Sequence, residues 1–214
     1  MIYELRIYTL ILGTQAEYLQ LSLDIGRKTR GDKYGKLEGA WTTEFGTLNQ
    51  YVHLWSFADL NERERLRKAL AQDEGWTKEY LPKIRPMLLA QENKIFYAVD
   101  GVSLTPPIGA GRHVYELRTY RTPVGKAPEW LGHFKAILPT REKYSKIVGL
   151  WTTDIGGLNQ VVHLWAYSDL NHRAEVRAKV TQEPAWKEFL AKGNPLLVEM
   201  QSIVLTPAET SPLR

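Results

Sequence analysis

The amino-acid sequence predicts an α+β protein made of two tandem ferredoxin-like units, and three observations predict it. The block GAWTTEFGTLNQYVHLWSFADLNERERLR, from Gly39 to Arg67, returns as GLWTTDIGGLNQVVHLWAYSDLNHRAEVR, from Gly149 to Arg177, with seventeen of 29 positions identical. Unrelated stretches of ordinary composition would share about two. The opening Tyr3-Glu4-Leu5-Arg6-Ile7-Tyr8 also returns as Tyr115-Glu116-Leu117-Arg118-Thr119-Tyr120, and Leu104-Thr105-Pro106 returns as Leu205-Thr206-Pro207. Each copy reads strand, helix, strand, strand, helix, strand, the order of the split βαβ unit with both helices on one sheet face. A period of roughly 100 residues lies above that of solenoids and propellers, so a complete small domain has been duplicated.

The elements follow in order. Residues 2–10 alternate and are rich in Tyr, Ile and Leu, which predicts a strand. Residues 15–30 carry Leu19 and Leu23 at helical spacing and end at Gly31-Asp32. Strands over 37–45 and 50–57 are joined by Gly46-Thr47-Leu48-Asn49, whose Gly and Asn suit a hairpin. Asp59 caps a helix to about residue 71, and Glu62 completes a capping box. A short helix near 76–87, interrupted by Pro82 and Pro86, leads to a last strand over about 94–104. In the second copy the pattern predicts a strand at 113–121, a helix at about 128–146, strands at 149–155 and 160–167, a helix at 170–181 and a last strand near 198–206. The domains are therefore 1–105 and 112–207, with a Pro- and Gly-rich linker at 106–111 and a tail at 208–214.

Composition excludes several classes. The chain has 214 residues, 43% hydrophobic and 24% charged, with a net charge of +4, as in ordinary soluble domains. It has no cysteine, which removes thiolate catalysis, Cys-ligated zinc, iron–sulfur clusters and disulfides together, and fits a reducing, cytoplasmic setting. Glu4 and Arg6 interrupt the first apolar run, so it is neither signal peptide nor membrane span. Basic and acidic residues interleave, as in Asn61-Glu62-Arg63-Glu64-Arg65, so no nucleic-acid stripe is expected.

The opening Tyr-Glu-Leu-Arg-x-Tyr and the block Gly-x-Leu-Asn-Gln-x-Val-His-Leu-Trp-x-Tyr/Phe resemble the NIPSNAP family, over both halves and so over nearly the whole chain. The resemblance implies the fold of the dimeric α/β-barrel superfamily, here formed within one chain by two NIPSNAP-like repeats. It implies no particular reaction. Relatives in the superfamily include cofactor-independent monooxygenases, haem-degrading oxygenases and lactone isomerases, and eukaryotic relatives resemble mitochondrial adaptor proteins.

Alternation divides each strand into two faces. Tyr3, Leu5, Ile7, Val52 and Leu54 form apolar sets expected to pack under the helices. Glu4, Arg6, Tyr8, Tyr51, His53 and Trp55, joined by Trp41 and Thr43, would converge on the opposite face. Aromatic residues suit both environments, so the reverse assignment stays open. The second copy offers Glu116, Arg118, Tyr120, Trp151, Thr153, His163, Trp165 and Tyr167. His53 and His163 are the candidate catalytic residues, since a strand histidine beside Glu and Arg can serve as a general base; each would otherwise be a hydrogen-bonded core residue. Glu4, Arg6, Tyr8, Trp41, Tyr51, Trp55, Glu116, Arg118, Tyr120, Trp151 and Trp165 are the candidate ligand-binding set, with packing and charge neutralisation as the plain alternative. No carboxylate or second histidine accompanies His53 at ligand spacing, so no metal is expected. His113, His133 and His172 lack counterparts in the first copy. No nucleophile elbow, phosphate loop or dinucleotide fingerprint is present, and no cofactor is expected.

Binding of a small metabolite in a pocket of the barrel is the leading expectation. The alternatives are monooxygenase- or isomerase-like catalysis and a protein-interaction role. A homo-oligomer, most simply a dimer, is expected because each sheet would end in edge strands with unpaired backbone groups.

Overall fold

The computed structural model describes residues 1–109 and 111–214. Ala110, inside the expected linker 106–111, lies outside the described residues. The chain forms β1 (Ile2–Leu10), α1 (Gln15–Leu21), α2 (Lys28–Arg30), β2 (Lys36–Phe45), β3 (Gln50–Phe57), α3 (Leu60–Leu70), α4 (Leu81–Ile84) and β4 (Leu88–Ala98). It continues with β5 (Val114–Arg121), α5 (Ala127–Arg141), β6 (Ile147–Ile155), β7 (Gln160–Tyr167), α6 (Leu170–Val180), α7 (Pro184–Gly193) and β8 (Glu199–Pro207). The strands hydrogen-bond in the order β1-β3-β2-β8-β5-β7-β6-β4 and close into a barrel. Among the described residues no helix is long and apolar enough to cross a membrane.

Two compact units are present, Met1–Phe96 with Thr206–Arg214, and Tyr97–Leu205. In the first, β1 and β3 pair antiparallel with Arg6 opposite His53 and Tyr8 opposite Tyr51. A bulge at Leu37/Gly39 then places Ala40 opposite His53 and Trp41 opposite Val52. The second unit repeats this, with Arg118 opposite His163 and Trp151 opposite Val162. Gly39 is required here: a Cβ on it would lie 2.0 Å from the tip of the Trp41 ring. The capping box forms as expected, with Asp59 accepting from the Glu62 amide at 2.8 Å and Glu62 accepting from the Ala58 amide at 2.5 Å.

The structure corrects the sequence reading in four places. The last strand of the first copy runs over Leu88–Ala98 rather than 94–104, because its first half is exposed and polar and shows no alternation. The first helix of the second copy stops at Arg141 rather than 146. Pro184–Gly193 is a helix that the apolar spacing did not announce. The faces are also reversed: the set holding Tyr8, Tyr51 and Trp55 packs with Tyr18, Ile25, Tyr80 and Ile84 of the helical segments. Leu5, Val52 and Leu54 lie on the other face and are equally buried. With both faces of β1 and β3 covered, apolar alternation no longer distinguishes inside from outside. Register puts Trp41 with Val52, off the face that holds His53.

Candidate functional site

A cavity of about 470 Å³ opens in the first unit between the sheet and its helices. From the sheet come Arg6, Tyr8, Leu37, Tyr51, His53 and Trp55. The helical segment Gln15–Arg30 supplies Tyr18, Ser22, Gly26, Arg27 and Arg30, and the one after β3 supplies Arg67, Leu70, Trp76, Thr77, Tyr80 and Ile84. Both helical walls contain a π-helical stretch, Ser22–Arg27 and Gly75–Tyr80. Such widened turns disturb regular helix packing and recur at functional sites.

At the centre stands His53, buried to 5% exposure. The indole N–H of Trp55 donates to His53 Nδ1 at 2.7 Å. An indole can only donate, so Nδ1 holds the lone pair and Nε2 carries the proton of a neutral ring. Nε2 is buried without a hydrogen-bond partner, and the residue lines the cavity. Burial, reinforced by the Arg6 and Arg30 charges, pushes the imidazole well below its ordinary range. The site therefore holds a neutral N–H donor at its centre.

The Glu4–Arg6 pair is built into the wall. Glu4 is fully buried and accepts from Arg6 at 2.7 Å, Arg63 at 2.6 Å and Asn93 at 2.8 Å, with Arg67 at 4.0 Å. Burial alone would raise its pKa, but the Arg63 hydrogen bond and the Arg6 charge hold it at about 2. Arg6 also donates to the Tyr8 hydroxyl at 2.7 Å. Arg30 differs from these neighbours. Its guanidinium lies on the Trp55 ring at 3.3 Å from the centroid. It donates to the Tyr34 carbonyl at 3.1 Å, and its Nε has no partner.

The second unit repeats the frame with a different filling. The Trp165 indole donates to His163 Nδ1 at 2.6 Å. Glu116 accepts from Arg118 at 2.5 Å, Arg173 at 2.7 Å and Ser202 at 2.6 Å. Arg118 donates to the Tyr120 hydroxyl at 2.6 Å. Burial and the Arg118 charge push His163 down to about 3. Against His163 stand Phe134 at 5.2 Å and Trp130 at 6.3 Å between ring centroids. Counted from the helix N-caps Thr14 and Lys126, Phe134 takes the place of Ser22, and the large Leu138 stands where the first unit has Gly26. A Cβ on Gly26 would meet the Tyr80 ring at 2.7 Å, and the Ser22 and Tyr80 hydroxyls hydrogen-bond at 2.8 Å. Small residues at 22 and 26 therefore keep open in one unit what aromatic and aliphatic side chains fill in the other.

Of the residues singled out in the first copy, the structure gathers Arg6, Tyr8, Tyr51, His53 and Trp55 around the cavity. Glu4 sits behind Arg6 and Trp41 lies on the opposite face. In the second copy Glu116, Arg118, Tyr120, His163 and Trp165 share one face, and Trp151 lies off it. Tyr18, Ser22, Gly26, Arg30 and Tyr80 were missed. Comparing the two copies across their first helices would have shown Ser22 against Phe134. Among the described residues no cluster of His, Asp or Glu can hold a metal ion.

The NIPSNAP family model matches residues 3–101 and 115–212. Protein NipSnap homolog 3A of Homo sapiens is 31% identical over 99% of this chain and 85% of its own. Protein NipSnap homolog 2 of Homo sapiens is 30% identical over 100% and 75% respectively. A candidate monooxygenase from Fusobacterium nucleatum shares the fold at a TM-score of 0.70 and 13% identity, over 97% of this chain and 92% of that one. Two repeats of one sequence motif, each matched by the same family model, place the chain in the NIPSNAP family.

Proposed function

We propose that the chain binds one small, largely planar metabolite in the cavity of its first unit. The observation that carries this reading is the difference between repeats: the same His–Trp–Arg–Glu frame is open around His53 and packed with Phe134 and Trp130 around His163. A volume of about 470 Å³ falls in the ordinary range for small-ligand sites, which are mostly apolar with a few convergent polar groups. His53 offers a neutral N–H to the ligand. Oxygenase- or isomerase-like chemistry has less support, since Nδ1 is engaged by Trp55 and Nε2 already carries a proton, leaving no base at the centre. A cytoplasmic location belongs to the same proposal, on the ground of the cysteine-free composition alone.

A thermal-shift screen that includes haem, quinones and phenolic acids tests the reading. A ligand at 100 times its dissociation constant stabilises by about 2.7 kcal/mol, which such a screen detects. Hits should disappear in Ser22→Phe, which imports the residue of the second repeat. Hits that survive that substitution unchanged place binding elsewhere.

A further inference from the structure

We infer that the ligand of this cavity is a planar aromatic carboxylic acid, and that Arg30 is the partner of its carboxylate. The inference rests on the pocket reading above and names its chemistry. Arg30 is 5% exposed and takes part in no ion pair among the described residues. Its neighbours each have a carboxylate beside them: Arg6 and Arg67, together with Arg63, share Glu4, and Arg27 is held by Asp32 at 2.8 Å. Arg85 also lines the cavity but is exposed to solvent. Among the described residues no Asp or Glu lines the cavity.

A buried cation without a counter-ion is costly; in the second repeat Arg141, which stands over Trp165 as Arg30 stands over Trp55, likewise takes part in no ion pair among the described residues but has a hydroxyl partner. There Arg141 donates to the Tyr167 hydroxyl at 3.1 Å. The first repeat has Phe57 at the matching place and provides no hydroxyl. A sealed positive charge with no carboxylate beside it matches an anionic ligand, and a planar guanidinium matches a carboxylate edge to edge. The N–H of His53 supplies a second donor. Trp55, Trp76, Tyr18, Tyr51 and Tyr80 give the walls an aromatic character suited to a flat ring.

Calorimetric titration with 4-hydroxybenzoate and its neutral isostere 4-hydroxybenzamide tests the assignment. The acid should bind the wild-type chain at least about tenfold more tightly than the amide. In Arg30→Met the acid should fall to the affinity of the amide while the amide changes little, and the unliganded protein should be as stable as wild type or more so. A merely structural Arg30 would instead lose stability and leave the preference intact. Phe57→Tyr gives a second variant, in which the new hydroxyl occupies Arg30 and lowers acid affinity several-fold with the amide unchanged. Equal binding of acid and amide overturns the inference, as does an acid preference that survives Arg30→Met or Phe57→Tyr, or failure of both probes to bind. Amide binding that Ser22→Phe abolishes would keep the pocket while removing Arg30 from its role.

Discussion

At the scale of single residues, the indole–imidazole bond fixes what His53 and His163 can do. Both rings should remain neutral with the proton on Nε2 at pH 5, where a free histidine is charged. Long-range ¹H–¹⁵N spectra would read the tautomer directly, and a charged ring at that pH would contradict the geometry. Glu4 makes a complementary case. Its carboxylate is fully buried and shared among Arg6, Arg63 and Asn93, so Glu4→Gln leaves cations without their counter-charge. Removing one partner of such a buried group costs about 3–5 kcal/mol, which denaturant titration at pH 7 would register. The Glu-x-Arg motif was legible in the sequence as a pair, but the helix arginines that complete it were not. Arg63 and Arg67 read as members of an ordinary charged helix face.

At the scale of elements, the first helical segment decides which unit is hollow. Ser22 and Gly26 bring little volume, and the π-helical stretch around them displaces the backbone from regular packing. Ser22→Phe should therefore abolish ligand binding with a stability change within about 1.5 kcal/mol, as the second repeat shows that the site accepts an aromatic ring. The reciprocal Phe134→Ser should cost about 3–5 kcal/mol, typical of a large-to-small change in a packed core, and leave binding in the first unit unchanged. Thermal melts with and without ligand check both. Element type and order were readable because hairpin turns, caps and the duplication all pointed to one unit. The face assignment was not, since β1 and β3 are covered on both sides. The start of β4 escaped because its exposed residues Leu89 to Asn93 carry no period.

At the scale of the whole molecule, the two histidines and two glutamates set the response to acid. Each histidine is harder to protonate folded than unfolded, so the unfolded chain takes up more protons once pH drops below about 6.5. Stability should begin to decline there, with His163 contributing until about pH 3. Glu4 and Glu116, held at about 2, contribute fully above about pH 4.5 and lose that contribution as pH falls toward 2. Chemical denaturation at pH 7.5, 5.5 and 3.5 should thus give a stepwise loss, and a flat profile between the first two would contradict the histidine geometry. The sequence leads to the expectation of a homo-oligomer, most simply a dimer. Light scattering at micromolar concentration measures which state holds. Calorimetric stoichiometry should be one ligand per chain whatever the assembly.

The C-terminal residues carry a consequence for how the protein is made. Thr206–Arg214 belong to the first unit. The Ala208 amide bonds the Ala40 carbonyl at 2.9 Å, Ser211 Oγ accepts from the Ala40 amide at 3.0 Å, and Thr210 reaches the Tyr51 hydroxyl at 3.2 Å and lines the cavity. A ribosome delivers β1 to β4 first and this last wall only after the entire second repeat has been synthesised. The nascent first repeat thus waits with one wall of its cavity missing until the second repeat has left the ribosome.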